Sequence, residues 1–473
     1  MESKIDILSP VDGSVIRTLK AADDTEIGRT VERAAAAQRR WAALAPERRS
    51  EILWNWGSLV ERHSDEIALL DTRSTGKVLR DSRAEARRGA RHARYWAGMA
   101  DKLYGQELAD VGERLSYSRR EPLGAYLVIL PWNAPAHAFM ARSSPPLACG
   151  NSVIVKPSEL SPLSALRLAE LALEAGFPED VLQVVVGDGR AGGALCGHPQ
   201  IRGVSFTGSP PTGRAVLRAA ADTFKKVTLE LGGKSPIVVF PDADLDSAVR
   251  AAVQGIATNA GQICAASSRL IVHRDVAREF VDELRRRFER VVVGDPCDDA
   301  THVGPIACRR QYERVLELIR GGVADGGSLV MGGGRPAHLA QGPGLYVAPT
   351  IVDTGDRRLP IAREEVFGPV LTVDRFRTEE EAVALANDTE FGLAAYVWTR
   401  DSARVLRVLH ALEAGVVHGN STLVMDSGLP FGGFKSSGLG GAFGADAVEG
   451  CTQTKRVTLR IGAGALPQYW AGV

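Results

Sequence analysis

The 473-residue chain carries no excess charge of either sign: 57 Lys and Arg stand against 57 Asp and Glu. Without a net field there is nothing to draw it to nucleic acid or to an anionic membrane surface. Lysine is scarce, 10 of the 57 basic residues, and the arginine excess is given no functional weight. Cysteine is sparse as well. Cys149, Cys196, Cys264, Cys297, Cys308 and Cys451 form no CxxC pair and no zinc-type Cys/His spacing, so a reduced, disulfide-free protein without a metal centre is expected. No apolar run approaches the ~18 residues of a membrane helix. The start, MESKIDILSP, lacks a basic-then-apolar signal pattern, which makes the cytoplasm the expected compartment. What is present, 45% hydrophobic and 24% charged residues, is the balance of a soluble globular protein.

The first hundred residues read as helices, with Ile27, Val31, Ala34 and Trp41 near one face and Ile52, Trp56, Leu59, Val60 and Ile67 on the next. Six arginines between Arg80 and Arg94 are expected to form a solvated helix face. From Asn151 short β-branched runs alternate with Ala- and Leu-rich stretches, the pattern of parallel strands joined by crossover helices. Strands are expected at 152–155, 181–186, 201–206, 227–231 and 237–240, and a helix opened by Ser161 as cap and Pro162 ends at Gly176. A doubly wound α/β unit thus covers about 123–240. A second α/β unit follows, with helices at 245–257 and 276–291 and strands at 270–273 and 370–373. Gly321 to Gly344 reads as surface connection, and the alternating segments 115–119 and 457–461 as outlying strands suited to subunit contacts.

Several motifs carry candidate chemistry. Gly187-Asp-Gly189-Arg-Ala-Gly192 follows a strand but lacks the acidic residue expected about 20 positions later, so a tight turn is favoured over a pyrophosphate loop. Gly208-Ser209-Pro-Pro-Thr-Gly213 lies at a strand-to-helix junction that suits either an anion or a plain turn. Lys156-Pro-Ser-Glu159 ends a buried strand with a cation and with a carboxylate able to accept ribose hydroxyls. Cys264, in Asn259-Ala-Gly-Gln-Ile-Cys264, has small neighbours that would let a ligand reach its sulfur, although a lone Cys is by default an inert buried thiol. Glu230 ends an apolar strand before a glycine turn, where caps and ion pairs are the common roles. Asn133, in Pro131-Trp132-Asn133, either donates to an oxyanion or caps a helix.

Taken together these motifs, with Thr75-Gly-Lys77, Phe206-Thr-Gly-Ser209, Glu230-Leu231-Gly232-Gly-Lys-Ser-Pro236, Gly304-Pro-Ile306, Glu364-Glu365-Val-Phe367-Gly-Pro369 and Pro430-Phe-Gly-Gly-Phe-Lys-Ser-Ser-Gly438, make the chain resemble the NAD(P)-dependent, hydrolytic aldehyde dehydrogenases over nearly its whole length. The resemblance implies a Rossmann-like cofactor domain (1–105 and 123–232), an α/β catalytic domain (233–445) and a small β oligomerisation arm (106–122 and 446–473), in a homodimer or homotetramer. It implies Cys264 as nucleophile, Glu230 as the base that activates water, and Asn133 with the Cys264 amide as oxyanion hole. It further implies Lys156 and Glu159 on the adenosine ribose, Gly189 on the adenosine side, Ser209 at the pyrophosphate, Trp132 near the cofactor and Glu365 with Phe367 at the nicotinamide end. Phe206, Gly208, Gly213, Leu231 and Gly232 are implied as further cofactor-binding residues. Because Glu159 would accept hydroxyls and repel a 2′-phosphate, NAD is expected over NADP.

Two positions depart from the family pattern: His418 stands where relatives usually have Asn, and Gly441-Ala442 where an Arg-Glu pair is common. The first is expected to touch the substrate mouth, the second only local ion pairing. Ala134, Ala138 and Ala141 fall on one helix face where relatives place bulky walls, so a wide pocket completed by Ile263 and Leu423 and suited to a bulky apolar or aromatic aldehyde is expected. The competing readings are a coenzyme A-acylating dehydrogenase, a non-catalytic nucleotide-binding scaffold and an unrelated thiol hydrolase.

Overall fold

A computed structural model of the chain describes residues 3–108, 114–355 and 359–462. The start is governed by alternation rather than helical periodicity: Lys4–Leu8 and Val15–Lys20 pair as an antiparallel hairpin. This corrects the expectation of helices throughout the first hundred residues, since K-I-D-I-L and V-I-R-T-L-K alternate too briefly to stand out beside the long helical stripes. Four helices follow, Asp24–Ala42, Pro46–Arg62, Ser64–Thr75 and Leu79–Ala97. Their apolar stripes are buried, and Trp56 meets Phe139 and Phe177 edge-on with ring centroids 6.1 and 5.5 Å away. Its indole N–H donates to the Leu168 carbonyl at 3.1 Å, so the single polar atom is satisfied in the core.

The first parallel sheet has the order Leu182–Val184, Ser152–Lys156, Ala125–Ile129, Ile201–Thr207, Lys226–Glu230, with Gly438–Leu439 added antiparallel at its edge. Ala125–Ile129 and Ser152–Lys156 are buried along their whole length, as continuous apolar strands covered on both faces must be. From Ala125–Ile129 the chain moves outward to 182–184, then returns to the other side at Ile201. At that reversal the carboxyl ends of neighbouring strands diverge and leave a crevice. Ile129 pairs with Lys156 on one side and with Phe206 on the other, which sets 130–133, 156–159 and 206–209 around its mouth.

The second sheet runs Ser328–Met331, Thr350–Asp353, Val370–Phe376, Arg269–His273, Pro236–Val239, Ala394–Trp398, Val416–Gly419, parallel except for its first pair. Helix Arg309–Ala324 and strand Ser328–Met331 occupy part of the stretch read as connection between Gly321 and Gly344. The helix that Ser161 was expected to cap runs Leu163–Glu174, with Pro162 at the cap position and no side-chain cap. A third sheet joins Thr452–Arg460 to Arg114–Pro122 and that strand to Glu107–Leu108, with Leu115 opposite Leu459 and Tyr117 opposite Val457. Residues 463–473 of the expected arm lie outside the described residues. Among the described residues no helix is long and apolar enough to cross a membrane.

Candidate active site

The crevice floor is built from residues at strand ends. Lys156 has an almost fully buried ammonium whose one ion pair among the described residues is with the half-exposed Glu159, 3.5 Å away. Burial lowers its pKa. Gly208 lies under the Phe206 ring, where a Cβ would come within 2.5 Å of the ring edge. Ser209 holds the cap position of helix Pro210–Ala221, its hydroxyl 3.0 Å from that of Thr212, and Gly213 packs on Leu231. The fingerprint at 187–192 is closed to phosphate from within: Asp188 caps helix Gly189–Gly197 by accepting from the amides of Arg190 and Ala191. Gly189 itself has open space above its Cα. Trp132 stands perpendicular to Phe367, with centroids 5.3 Å apart.

The strand Lys226–Glu230 leads straight into the second sheet through Gly232 and Gly233, and this crossing is where the two sheets meet the thiol. Any side chain on Gly232 would overlap Glu365, whose carboxylate accepts from the Gly233 amide at 3.0 Å. A Cβ on Gly233 would lie 2.4 Å from the Cys264 carbonyl oxygen. Cys264 follows a turn in which Asn259 (φ 50°), Ala260 (φ 53°) and Gly261 (φ 71°) are all left-handed. Two non-glycine residues in that region are costly unless held by their surroundings. They are held: the Asn259 amide donates to the carbonyls of Asn133 and Gln262, both at 3.1 Å, and the Gln262 amide donates back to the Asn259 carbonyl at 3.0 Å. The Asn133 amide donates to the Gln262 carbonyl at 2.9 Å, which fixes its plane and leaves it a second N–H. The Cys264 amide has no hydrogen bond among the described residues.

Three ionisable groups meet here in little solvent. Burial, and after it the carboxylates of Glu365 and Glu230, push the Cys264 thiol up to about 12. Burial pushes Glu230 up to about 8, against the pull of Arg142, whose Nη1 is 3.9 Å from its carboxylate. Neither Glu230 oxygen has a hydrogen-bond partner among the described residues. Glu365 is pushed up to about 7 by burial, with the Gly233 amide and Lys234 pulling the other way. Lys234, fully buried and donating to the Ile361 carbonyl at 2.8 Å, is pushed down to about 7 by burial and by Arg269. In such surroundings the neutral forms are favoured, so proton positions respond to any charge that enters.

The thiol opens on a cavity of about 380 Å³. Asn133, Ala134, Ala138, Ala141, Ile263, Cys264 and Leu423 all line it, in a volume typical of small-molecule sites. Its lining is also aromatic, from Tyr396, Trp398, Phe431 and Phe443. His418 is not on that wall: it stacks on Tyr396 at 5.4 Å, so its reach to the cavity runs through that ring, whose hydroxyl donates to the Ala265 carbonyl at 2.8 Å. Ala442 is buried, and the next residue, Phe443, lies 5.3 Å under the Arg142 guanidinium. Sequence reasoning missed Arg88, His137 and Arg142, which also line the cavity. Arg142 was detectable, four residues beyond Ala138 on the same helix face. Arg88 was lost in an arginine run whose other members do face outward, Arg83 and Arg94 pairing with Asp65 and Glu61 on neighbouring helices.

The model of the Aldehyde dehydrogenase family matches residues 1–457. Betaine aldehyde dehydrogenase of Agrobacterium fabrum is 40% identical over 454 residues, 96% of this chain and 92% of that protein. PnpE from Pseudomonas sp. WBC-3, solved in complex with nicotinamide adenine dinucleotide, superposes with a TM-score of 0.96 at 38% identity, covering 99% of this chain and 96% of its own. KauB from Pseudomonas aeruginosa, an aldehyde dehydrogenase, superposes with a TM-score of 0.94 at 39% identity over 97% of this chain and 94% of its own. The chain belongs to the aldehyde dehydrogenase family.

Proposed function

We propose that the protein oxidises an aldehyde to a carboxylic acid with NAD, by covalent catalysis at Cys264 and hydrolysis assisted by Glu230. The observation that carries this reading is a half-buried thiol and a fixed amide donor on the lining of one cavity, with the unpartnered Glu230 carboxyl behind that lining, 3.9 Å from Arg142 and near enough to raise the thiol's pKa. The residues of the crevice suit a dinucleotide. Lys156 is a buried cation with a single ion pair among the described residues, Glu159 is an exposed acceptor for ribose hydroxyls, and side chains are excluded at Gly208 and Gly232. Bound NAD supplies a hydride acceptor and a fixed positive charge. Glu159 is repelled by a 2′-phosphate, so NAD is preferred to NADP.

The Cys264 thiol releases its proton to solvent and the sulfur adds to the carbonyl carbon, while the second N–H of Asn133 with the free Cys264 amide stabilises the resulting alkoxide. Loss of hydride from that carbon leaves a thioester on Cys264. Glu230 then takes a proton from water, and the hydroxide displaces the sulfur to release the acid. A carboxyl that must accept a proton near neutral pH is well placed with its pKa raised to about 8. The presence of Glu230 favours water over coenzyme A as the acyl acceptor.

The alanine face and the aromatic lining suit a bulky apolar or aromatic aldehyde body. We further propose the division into a cofactor domain (1–105 and 123–232), a catalytic domain (233–445) and an arm (106–122 and 446–473). The three-stranded sheet of the arm, with Leu108 and Leu459 exposed, supports its use in a homodimer or homotetramer. An aldehyde panel followed at the absorbance of the reduced cofactor, with NAD and NADP and with coenzyme A or water as acceptor, tests the reading. Benzaldehyde-type substrates are expected to exceed acetaldehyde and propanal in kcat/KM, with NAD preferred and free acid as product. Acyl-coenzyme A as product, NADP preference or faster turnover of the small aldehydes would each remove the corresponding part.

A further inference from the structure

One wall of the substrate cavity is charged, with Asp81, Glu85, Arg88 and Arg142 all on its lining. Arg88 of helix Leu79–Ala97 and Arg142 of helix Pro135–Ala148 both line it, on either side of a close helix contact where a Cβ on Gly89 would lie 2.9 Å from Met140 Cγ. His137 lines the same wall, and both guanidinium groups are near enough to drive its pKa down further than burial already does. From these positions we infer that the aldehyde substrate carries a carboxylate in addition to its carbonyl, held between Arg88 and Arg142. The inference rests on the proposed aldehyde oxidation and specifies its substrate.

The state of these cations is what points to an anion. Arg142 is nine-tenths buried, and its Nη1 has no hydrogen-bond partner. Its single ion pair among the described residues, with Glu230, spans 3.9 Å, beyond hydrogen-bond reach. A buried guanidinium without a hydrogen-bonded counter-ion is unfavourable, and an incoming carboxylate relieves that cost. Arg88 is partly buried and makes no ion pair within 4.0 Å among the described residues. The carboxylates on the same cavity wall already have their own cations: Glu85 bonds the buried Lys77, and Asp81 lies 3.8 Å from Arg80. Nδ1 of His137 is buried, unpartnered and on the lining, and offers a further donor in the tautomer that protonates it. Planar guanidinium forks match a carboxylate in two-point contact. The remaining lining, Ile263, Leu423, Phe431 and Phe443, takes the apolar body of the same molecule.

The test compares 4-formylbenzoate, 4-methylbenzaldehyde and betaine aldehyde as substrates with NAD, in the wild type and in Arg88→Met and Arg88→Lys. The expected result is a kcat/KM for 4-formylbenzoate at least about tenfold above that for 4-methylbenzaldehyde, as one charged hydrogen bond provides. Arg88→Met is expected to erase that preference mainly through KM, and Arg88→Lys to restore part of it. Preference for 4-methylbenzaldehyde or the cationic betaine aldehyde, or a ratio untouched by Arg88→Met, overturns the inference while leaving aldehyde oxidation standing. If no aldehyde is turned over, the proposed function fails, and the inference is decided by calorimetry. 4-Formylbenzoate binding at least about tenfold tighter than 4-methylbenzaldehyde, and weakened by Arg88→Met, supports it; equal binding overturns it.

Discussion

A thiol raised to about 12 is a poor nucleophile at rest, and this makes Cys264 a group that waits for charge. Alkylation of Cys264 by iodoacetamide is therefore expected to be slower than that of a free thiol and to accelerate when NAD is added; peptide mapping of the labelled cysteine checks this. Glu230 gives a matching pH signature. With its pKa raised to about 8, kcat should climb as pH rises through that value, and Glu230→Gln should flatten the limb while lowering kcat by roughly 10²–10⁴. The sign for stability is opposite. A carboxyl raised in the folded state contributes stability that is complete below its ordinary value of 4.5 and is lost as pH rises through about 8. Glu230→Gln should thus melt higher than wild type at pH 9 and no higher at pH 4, in paired thermal scans. Removing the Asn133 donor by Asn133→Ala is expected to lower kcat about 10²–10³-fold in steady-state assays. Cys264, Glu230 and Asn133 were legible in the sequence because each sits in a motif of glycines and small residues whose reason is local close approach. Arg142 was legible only as a position on the alanine face, because the meaning of a buried charge depends on what faces it from another element, here Glu230 and Phe443.

Two packed helices position the polar wall of the cavity, and their approach depends on the absence of a side chain at Gly89. Gly89→Val has no room beside Met140 and is expected to cost about 1–3 kcal/mol in denaturant unfolding. It should also raise KM for the best aldehyde, since Arg88 is the residue next to Gly89. The strands near 152–155, 201–206, 237–240, 270–273 and 370–373 could be read from the sequence because burial on both faces demands apolar runs, whereas Thr350–Asp353, Ala394–Trp398 and Val416–Gly419 were not read. The hairpin Lys4–Leu8 with Val15–Lys20 was missed because its exposed strands lack such a run. Strand Ser328–Met331 was missed for a related reason: it is a mostly exposed edge strand between glycines, so its composition looks like loop. The left-handed turn at 259–261 carries no sequence mark except Gly261, since Asn259 and Ala260 adopt that backbone only through the hydrogen bonds that hold them.

For the molecule as a whole, the two sheets matter because neither contains the site alone. One supplies Asn133 and Glu230 from its strand ends, and the other supplies the Cys264 turn, with Gly232 and Gly233 as the crossing between them. Association through the outlying sheet predicts a solution mass of two or four chains by light scattering, and a monomer would remove the arm's proposed role. The chemical claim on which the account depends is that an acyl group passes through Cys264 and leaves only when Glu230 activates water. Intact-mass spectrometry with stopped-flow absorbance on Glu230→Gln, mixed with NAD and the best aldehyde, tests it most directly. The account predicts a burst of about one reduced cofactor per chain and an acyl mass increment that maps to Cys264. A burst with no covalent adduct, or an adduct on any other residue, would contradict it.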